Sequence, residues 1–439
     1  MDEAPQAALG LKRKIAARSL RVAVIGLGYV GLPLATAFAA EGFHVTGIDI
    51  DQQKVEQAAR GESYISAISN EILHELIEER LLHFTSFFAA LDDVDAICMC
   101  VPTPLLKRRS PDISSIISAV QQVRAHLHPG QLVVLESTTY PGTTDEVVLP
   151  ELEASALKVG VDFFLAFSPE RVDPGNPQFH MRNTPKIVGG VTQVCTELAR
   201  ALYEAVIEQV VPVSSARVAE MSKLLENTFR AVNIGLVNEF AMMCEKLHIN
   251  VWEVIDAAAT KPFGYMRFLP GPGLGGHCIP IDPQYLSWKL RSLDYTARFI
   301  ELAAEINTSM PHYVVETISK ALNEQQSSFN GSMILVLGVA YKRNINDIRE
   351  SPARDIIAEL QAHKAVVIYN DEYVPALTLR GRDLHSQPLS SGLLQAADCV
   401  VIVTDHDYYD VAWIVSKARC IVDTRNMTRG YEDTKIFRI

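Results

Sequence analysis

The sequence predicts an α/β protein with two doubly wound parallel-sheet domains, joined by a central helical domain that contains one long helix. Three observations predict this fold. Short, almost continuously apolar runs alternate with helical patterns in the first half of the chain, which is typical of a parallel sheet covered on both faces. A helical pattern without proline follows, and a second set of strand-like runs begins near residue 332. We expect an N-terminal arm over residues 1–19 and domains over residues 20–213, 214–328 and 329–439.

Length and composition limit the class of protein. At 439 residues the chain exceeds one ordinary core, and 48% hydrophobic with 21% charged residues is typical of a soluble globular protein. The formal net charge of -12 argues against a general nucleic-acid binder, and no apolar run is long enough for a transmembrane helix or a signal peptide. Seven cysteines without framework spacing favour a reducing compartment. We therefore expect a cytoplasmic protein that binds no nucleic acid and does not insert into membranes.

The first part of the chain begins with a basic stretch and continues with a strand, a glycine turn, a helix and a second strand. Lys12-Arg13-Lys14 and Arg18 are predicted to lie in a solvated, helical arm. The apolar strand of residues 21–25 is followed directly by Gly26-Leu-Gly28-Tyr29-Val30-Gly31 and a helical segment. The strand of residues 44–48 then ends at Asp49. This complete unit predicts a Rossmann-like domain more specifically than the glycines alone would.

Each glycine of this turn has a physical role in holding a dinucleotide. Gly26 permits the tight turn, Gly28 lets the backbone approach a pyrophosphate, and Gly31 allows the helix to pack closely. The helix N-terminus attracts the phosphates, and Asp49 can accept hydrogen bonds from ribose hydroxyls. The acid favours NAD over NADP, because a 2′-phosphate would meet a like charge. A glycine turn that binds no ligand is the alternative.

Polar residues follow three of the later strands. The predicted strands are residues 95–100, 131–135, 162–166 and 209–213. Pro102 and Thr103 follow the first of them, Thr138 follows the second, and Glu170 with Arg171 follows the third. Because ligands of doubly wound sheets bind beyond the carboxyl ends of the strands, we expect these residues to line a site. Glu170 is the candidate general base, and a surface salt bridge between Glu170 and Arg171 is the alternative.

One long helix is predicted from Ala219 to Lys246, because this stretch has no proline and carries an apolar stripe at helical spacing. Such a helix can bridge domains and pair with a second subunit. Lys223 and Asn227 lie four residues apart on another stripe, with Arg230 near them. A lysine and an asparagine on one helix face can hold an anion or an oxyanion, and an ordinary solvated face is the alternative.

A loop rich in glycine and proline, residues 261–282, carries a single thiol near its end. Asp282 followed by Pro283 is a typical helix opening, with Asp282 as N-cap, so Cys278 is expected just before a helix N-terminus. A helix N-terminus lowers a thiol pKa and favours a nucleophilic cysteine. A buried structural cysteine is the alternative. A metal site with His277 is disfavoured, because no further ligand has suitable spacing.

A second, smaller α/β sheet is predicted at the end of the chain. Its predicted strands are residues 332–338, 365–369, 398–403 and 419–423. Lys342, Arg349 and Arg425 follow strands of this domain, where a ligand of the sheet would bind. A dinucleotide domain together with a nucleophilic thiol indicates oxidation through a covalent intermediate. An alcohol would be oxidised to an aldehyde, captured by Cys278 as a thiohemiacetal, oxidised again to a thioester and hydrolysed, with two NAD+ used per substrate.

Six motifs, in order along the chain, carry a family resemblance. They are Gly26-Leu-Gly-Tyr-Val-Gly-Leu-Pro33, Ser137-Thr138, Ser168-Pro-Glu170, Glu220-Met-Ser-Lys223-Leu-Leu-Glu-Asn227, Gly273-Leu-Gly-Gly-His-Cys278-Ile-Pro-Ile-Asp282 and Asp347-Ile-Arg349-Glu-Ser351. The chain from about residue 21 to its end resembles the UDP-glucose/GDP-mannose dehydrogenase family. Within that family it is similar to the branch that oxidises UDP-N-acetylhexosamines, with N-acetylglucosamine as the expected sugar. The resemblance implies a homodimer.

The resemblance also implies roles for individual residues. It implies a nucleophile, two oxyanion ligands, a residue that orients water or the lysine, a general base and a residue that places water; these are Cys278, Lys223, Asn227, Asp282, Glu170 and Thr138. The implied NAD-binding residues are Gly26, Gly28, Tyr29, Val30, Gly31, Asp49, Lys54, Pro102, Thr103, Thr138 and Arg349. The implied UDP-sugar-binding residues are Glu170, Arg171, Val172, Lys223, Asn227, Arg230, Arg267, Phe268, Gly273, Gly275, Lys342 and Arg425. Arg267 is expected to reach a neighbouring subunit's site.

The chain departs from the UDP-glucose branch at three places. Arg171-Val172 and Pro174 stand where that branch has Phe-Leu and a second glutamate, and Ile281 replaces a lysine. Details of sugar and cofactor contacts from that branch are therefore not transferred. A dehydrogenase of one hydride step, which would need no Cys278, and a nucleotide-sugar-binding regulator without activity are the two rival functions.

Overall fold

A computed structural model describes residues 5–65, 68–106, 110–172, 176, 178–276 and 278–439. The helices are α1 Gln6–Ala16, α2 Gly31–Ala40, α3 Gln52–Ala59, α4 Asn70–Glu78, α5 Ser114–Ala125, α6 Leu149–Glu153, α7 Gln193–Tyr203, α8 Ala216–Leu247, α9 Val251–Ala258, α10 Asp282–Arg291, α11 Arg298–Glu324, α12 Pro352–Ala362, α13 Ser391–Ala396 and α14 Val411–Lys417. A 3₁₀ helix covers Phe88–Asp93 and a π-helical turn covers Thr144–Val148.

The strands belong to three sheets. They are β1 Arg21–Ile25, β2 His44–Ile48, β3 Leu82–Thr85, β4 Ala96–Met99, β5 Leu132–Leu135, β6 Phe164–Phe167, β7 Lys186–Gly190, β8 Val210–Pro212, β9 Met333–Leu337, β10 Val366–Asn370, β11 Ala376–Leu379, β12 Arg382–His385, β13 Cys399–Ile402, β14 Ile421–Asp423 and β15 Ile436–Arg438. Contacts divide the chain into two units. The N-terminal unit contains Met1–Glu226 and Gln284–Asp294, and the C-terminal unit contains Asn227–Pro283 and Tyr295–Ile439.

The N-terminal unit is built on an eight-stranded sheet in the order β3-β2-β1-β4-β5-β6-β7-β8. Buried apolar side chains fill both faces of its central strands, as the near-continuous apolar runs predict. The pairs from β3 through β6 are parallel, which confirms the predicted doubly wound sheet.

One strand of this sheet runs against its neighbour. β7 is antiparallel to β6, with Ala166 opposite Gly190 and Phe167 opposite Gly189. Parallel neighbours require a crossover that returns the chain to the starting edge of the sheet. The described part of the connection between β6 and β7 contains no helix, so the chain re-enters the sheet from the edge where it left.

The basic N-terminal stretch is helical, as expected, but it is not a solvated arm. Ala8, Leu11 and Ile15 on one face of α1 are buried in the core of the N-terminal unit, where α1 packs on α7. The ammonium of Lys12 lies 2.8 Å from Glu197 Oε2, and that of Lys14 lies 2.5 Å from Asp95 Oδ1. The basic residues therefore sit beside the buried face and pair with acids of the sheet domain.

The C-terminal unit contains a five-stranded parallel sheet in the order β10-β9-β13-β14-β15 and a separate hairpin of β11 and β12. The sequence predicts four of these strands and misses β15 and the hairpin, which are short and partly exposed. The long helix α8 extends slightly beyond its predicted ends. α8 passes α11 closely at Gly235, where an added Cβ would lie 3.3 Å from Ala303 Cα. Among the described residues, no helix is both long and apolar enough to cross a bilayer.

We predict that Leu11→Ala lowers the free energy of unfolding by about 2–5 kcal/mol, because Leu11 is 3% exposed and its truncation leaves a cavity between α1 and the core. Urea unfolding followed by circular dichroism measures this. Leu9→Ala on the same helix is the control, since Leu9 is 46% exposed and its loss should change stability by at most about 0.5 kcal/mol. Equal, small effects of both changes would show that α1 does not contribute to the core.

Candidate active site

The glycine turn after β1 is closed by contacts that exclude side chains. Gly26 has a φ of +91°, and a Cβ placed there would lie 2.6 Å from the carbonyl oxygen of Cys100. A Cβ on Gly31 would lie 1.8 Å from the Gly26 carbonyl oxygen, so α2 begins in direct contact with the turn. These two glycines have the turn and close-packing roles that their spacing predicts.

Gly28 differs from its neighbours, because a Cβ placed there would meet no atom of the described residues within 4 Å. The turn therefore leaves an open cradle above Gly28 at the start of α2, whose N-terminal amides favour phosphate. Tyr29 is exposed, and Val30 directly precedes the first helical residue. The geometry fits a dinucleotide pyrophosphate.

Asp49, at the carboxyl end of β2, is tied to the same turn. Its Oδ2 accepts the N–H of Leu27 at 2.8 Å and lies 4.0 Å from the ammonium of Lys54. The hydroxyl of Tyr64 donates to the Leu27 carbonyl at 2.8 Å and holds the other side of the turn. Asp49 and Lys54 thus lie together, as predicted for a pair that holds a ribose.

The residues after β4 and β5 lie at the carboxyl edge of the sheet. Pro102 is exposed, Thr103 is buried, and the Thr103 carbonyl accepts the hydroxyl of Tyr285 at 2.8 Å. Thr138 is half-buried beside Ser137, whose hydroxyl donates to the Val101 carbonyl at 2.7 Å. The two loops are thereby bonded to each other and to α10.

Glu170 has a buried partner, and this partner is not Arg171. Its Oε1 accepts the N–H groups of Arg171 at 2.8 Å and Val172 at 2.7 Å, while its Oε2 lies 3.5 Å from the ammonium of Lys186. The Arg171 guanidinium pairs with Glu226 and donates to the Pro185 carbonyl. The alternative of a surface salt bridge between Glu170 and Arg171 is therefore wrong. Burial raises the pKa of Glu170, but Lys186 and the two N–H groups outweigh it and lower that pKa below its ordinary value.

Lys186 is not among the residues that the sequence predicts for the site. Its side chain is 5% exposed, and its ammonium lies 2.8 Å from Oε2 of Glu136, whose side chain is fully buried. The hydroxyl of Tyr203 donates to the other oxygen of Glu136. A lysine that opens an apolar run, as in Lys186-Ile-Val-Gly-Gly190, was the available signal. The position of that lysine beside two carboxylates depends on the reversal of β7.

Two residues of α8 contact the loops of the N-terminal unit. Lys223 donates from Nζ to the Glu170 carbonyl at 2.7 Å. Glu220, one turn earlier, accepts the N–H of Gly142 at 2.6 Å and both the N–H and the hydroxyl of Thr144. Burial raises the pKa of Glu220 to about 7 against the lowering effect of these hydrogen bonds. Lys223 is thus held at the same loop as the candidate base.

The cysteine loop of the C-terminal unit ends in a helical turn. The Cys278 carbonyl accepts the N–H groups of Ile281 at 3.1 Å and Asp282 at 2.8 Å, so Cys278 lies one turn before α10, as predicted. α10 begins at Asp282 itself, and the prediction of Asp282 as the preceding cap is off by one residue. The amide of Asn227 donates to Asp282 Oδ2 at 2.6 Å. This contact joins the loop to α8 through the asparagine.

The glycines before Cys278 are bound to the rest of the C-terminal unit through their backbone. The N–H of Gly271 donates to Asn238 Oδ1 at 2.9 Å, and the N–H of Gly276 donates to the Arg349 carbonyl at 2.9 Å. A Cβ on Gly275 would lie 2.5 Å from Tyr341 Cβ. The loop can adopt this path only without side chains at these positions.

The predicted cofactor and substrate residues that follow strands of the C-terminal unit each have their own contacts. Arg425 is half-buried, donates to the Val403 carbonyl at 2.9 Å, and places Nη1 2.7 Å from a Cβ built on Gly271. Arg349 is 47% exposed and forms a two-pronged ion pair with Asp347. Lys342 is half-buried at the turn after β9.

The remaining predicted substrate residues lie near α8 and α9. Arg267 pairs with Asp256 at 2.5 Å, and Phe268 packs edge-on against Phe229 with ring centroids 5.8 Å apart. Arg230 is exposed on α8. Gly273 has a φ of +129°, and a Cβ placed there would lie 3.1 Å from the Asn307 carbonyl oxygen. His277, considered above as a metal ligand, and Pro174 lie outside the described residues.

Three family models match the chain in order. They are the NAD-binding domain of the UDP-glucose/GDP-mannose dehydrogenase family over residues 20–207, its central domain over residues 217–309 and its UDP-binding domain over residues 335–430. Together they match well over half of the chain.

Individual relatives cover nearly the whole chain. A UDP-N-acetyl-D-glucosamine 6-dehydrogenase of Salmonella typhi is 34% identical over 89% of this chain and 91% of its own length. An NDP-N-acetyl-D-galactosaminuronic acid dehydrogenase of Ralstonia nicotianae is 35% identical over 92% of this chain and 96% of its own. The solved structure of a UDP-D-ManNAc dehydrogenase from Pyrococcus horikoshii superposes with a TM-score of 0.87, with 34% identity over 96% of this chain and 99% of that one.

We predict that Gly28→Ala keeps the thermal stability of the wild type and weakens NAD+ binding at least roughly tenfold, which corresponds to about 1.4 kcal/mol. The new methyl meets no atom within 4 Å in the part of the chain that the structure describes, yet it fills the cradle above Gly28. Calorimetric titration with NAD+ and thermal unfolding measure the two effects. Gly26→Ala is the matched control, because its Cβ would lie 2.6 Å from a backbone oxygen and should lower stability itself. Unchanged NAD+ affinity in the stable Gly28→Ala variant would contradict the assignment of the cradle.

Proposed function

The chain belongs to the UDP-glucose/GDP-mannose dehydrogenase family, and we propose that it oxidises the C6 hydroxyl of UDP-N-acetylglucosamine in two steps to the UDP-uronic acid, for surface polysaccharide synthesis. The observation that carries this proposal is the turn at Cys278. Cys278 lies one turn before α10, its carbonyl accepts the N–H of Asp282, and the Asp282 carboxylate is bonded to Asn227. A one-step dehydrogenase would need no nucleophile at this position.

The chain's own residues supply the proton transfers and the covalent step. Glu170 accepts the hydroxyl proton at Oε2, since Oε1 is already occupied by two N–H groups. Cys278 Sγ then attacks the aldehyde carbon, and the ammonium of Lys223 with the amide of Asn227 stabilises the oxyanion of the thiohemiacetal. After the second oxidation a water, oriented by Asp282, hydrolyses the thioester and returns the thiolate.

The NAD-binding domain supplies the oxidant. When bound, NAD+ would serve as the hydride acceptor in both oxidations, so that one alcohol, one water and two NAD+ would yield one carboxylate, two NADH and three protons. Gly28 and the start of α2 would hold the pyrophosphate, and Asp49 with Lys54 the adenosine ribose. Thr138 and the exposed guanidinium of Arg349 would contact the cofactor further along its length.

The choice of sugar is the finer part of the proposal. The relatives described above act, by their names, on derivatives of N-acetylglucosamine, N-acetylgalactosamine and N-acetylmannosamine. We favour N-acetylglucosamine because the segment Ser168-Pro-Glu-Arg-Val172 and the loop before Cys278 resemble the branch of the family that oxidises UDP-N-acetylhexosamines. UDP-N-acetylgalactosamine, UDP-N-acetylmannosamine and UDP-glucose are the alternative substrates.

A homodimer through α8 is part of the proposal. One side of α8 carries a row of exposed apolar side chains: Val218, Met221, Leu225, Phe229, Leu236, Phe240, Met243 and Leu247. The row repeats every eleven residues, and because eleven residues make about three full turns, it stays on one side of the helix. A continuous exposed apolar row of this length fits a matching surface on a second copy.

We predict two NADH per UDP-N-acetylglucosamine consumed, with faster turnover than for the other three UDP-sugars. Cys278→Ala should lower acid formation at least roughly a thousandfold, because it removes the nucleophile. Absorbance at 340 nm with limiting sugar and mass spectrometry of the product measure both. Cys244→Ala is the control, as Cys244 is buried among apolar residues of α8 and α9 and should leave the stoichiometry at two. One NADH per sugar with release of free aldehyde would contradict the role of Cys278 as nucleophile. Faster turnover of another UDP-sugar would contradict the proposed substrate.

We predict that Leu225→Glu combined with Leu236→Glu converts the dimer into a monomer of 48.5 kDa. Burying two charges at the centre of the row should weaken association at least roughly 100-fold, since each unpaired buried charge costs several kcal/mol. Light scattering during size-exclusion chromatography measures the mass. Phe87→Glu is the control, because Phe87 is 75% exposed outside the row. A double variant that retains the wild-type mass would show that this row is not the subunit interface.

A further inference from the structure

The reversal of β7 brings a lysine level with the candidate base. β6 and β7 pair in antiparallel register, with Phe167 opposite Gly189. Counting on from this pair brings Glu170, beyond the end of β6, level with Lys186 at the start of β7. A parallel β7 would place its first residue at the opposite edge of the sheet. The chain direction thus sets which charge faces Glu170.

The resulting cluster is a cation between two carboxylates. The Lys186 ammonium lies 2.8 Å from Glu136 Oε2 and 3.5 Å from Glu170 Oε2. The two N–H groups that bind Glu170 Oε1 fix the plane of that carboxylate and leave Oε2 toward Lys186. Tyr203 donates to Glu136 and lies with its ring 5.0 Å from the Lys186 ammonium. Glu136 and Tyr203 together hold the lysine in place.

We propose that Lys186 is a positioning residue for the oxidation, which holds Oε2 of Glu170 ionised and oriented as the proton acceptor, and that Glu136 moderates its charge. This inference rests on the proposed function, in which Glu170 is the base. Glu136 and Lys186 touch neither substrate nor cofactor in it. They act through Glu170.

The charged groups around Glu170 set the sign of each effect. Facing it are the ammonium groups of Lys186 and Lys223, the carboxylate of Glu136 and the thiol of Cys100. Cys98 and Tyr203 adjoin Glu136 on its other side, and Arg171 is directed to Glu226. Burial raises the pKa of Glu136 despite Lys186, and it raises the pKa of the Cys100 thiol. The charged groups that lower the pKa of Glu170 are the two lysines. The Lys186 ammonium interacts with both carboxylates, so removing one carboxylate should strengthen its interaction with the other.

This arrangement requires two substitutions to act in opposite directions. Lys186→Met removes the cation, so Glu170 should take up its proton at higher pH. Glu136→Gln leaves Lys186 to Glu170 alone, so Glu170 should remain ionised to lower pH than in the wild type. Lys186→Arg keeps the charge and should preserve most of the wild-type behaviour. A merely structural lysine would give lost stability without opposite shifts.

The test is the pH profile of kcat/KM for NADH formation in wild type, Lys186→Met, Lys186→Arg and Glu136→Gln, each with its thermal midpoint. We expect the acidic limb of the profile to shift to higher pH by at least roughly one unit in Lys186→Met and to lower pH in Glu136→Gln. The value of kcat should be reduced more than KM is changed. Lys186→Arg should restore the limb of the wild type. Limbs that coincide, or that shift in the same direction in both variants, would overturn the inference.

Two further measurements keep the test decisive. Lys186→Met with Glu136→Gln removes both buried charges, so this double variant should fold even if Lys186→Met alone does not, and should keep the raised limb. Infrared difference spectra recorded without substrate follow the ionisation of Glu170 directly. Its carboxylate band is identified as the one that is lost in Glu170→Gln. That band should titrate at higher pH in the double variant, and an unshifted band would overturn the role of Lys186. Wild-type enzyme that forms fewer than two NADH would instead overturn the proposed function, while the infrared result stands apart from it.

Discussion

The contact of Lys186 with Glu136 and Glu170 governs the charge at the carboxyl edge of the N-terminal sheet. A buried cation costs free energy unless its partners are well placed, and breaking such a pair by removing one partner typically costs about 3–5 kcal/mol. Here the partners come from the ends of two adjacent strands, and the lysine comes from a strand that runs the other way. The same reversal that interrupts the parallel sheet thus provides the counter-charge for its acids. Because the pKa of Glu170 is lowered, its ionisation favours the folded state above the ordinary glutamate pKa, and this contribution is lost as the pH falls through the folded-state value.

Glycines fulfil two different requirements in this chain. At Gly26 and Gly31 the surrounding backbone leaves no room for a side chain, so these residues are needed for folding whether or not a ligand is present. At Gly28 no atom of the described residues occupies the space of a side chain, so this position is free for the cofactor that we propose the turn binds. Gly275, packed on Tyr341, belongs to the first kind although it lies in the loop that carries the thiol. Atomic contacts therefore separate the positions of the motif that require glycine for folding from the position that has room for a side chain.

The sequence allowed prediction of the elements that depend on local patterns. The glycine turn, the helix α8 and the position of Cys278 before a helix follow from spacing, capping preference and apolar periodicity within about twenty residues. β7 and its lysine could not be predicted, because strand direction depends on where the chain re-enters the sheet. The burial of α1 was missed for a similar reason: its apolar residues Ala8, Leu11 and Ile15 are few, and the basic side chains between them dominate the pattern. The alternative that the sequence offered for Glu170 was a salt bridge with its neighbour Arg171, whereas the cation beside Glu170 comes from residue 186.

Helix α8 explains how residues of one short motif serve different contacts. Glu220, Lys223 and Asn227 follow one another at intervals of three and four residues, which places them on one side of the helix. Their partners are successive: the loop at Gly142, the carbonyl of Glu170 and the carboxylate of Asp282. At 3.6 residues per turn, the exposed apolar row of α8 lies roughly opposite this side. A shift of the helix by one residue would therefore turn the polar contacts away from their loops and bury part of the apolar row at once. The spacing within a single helix thus couples the placement of the candidate oxyanion ligands to the surface that remains for a second subunit.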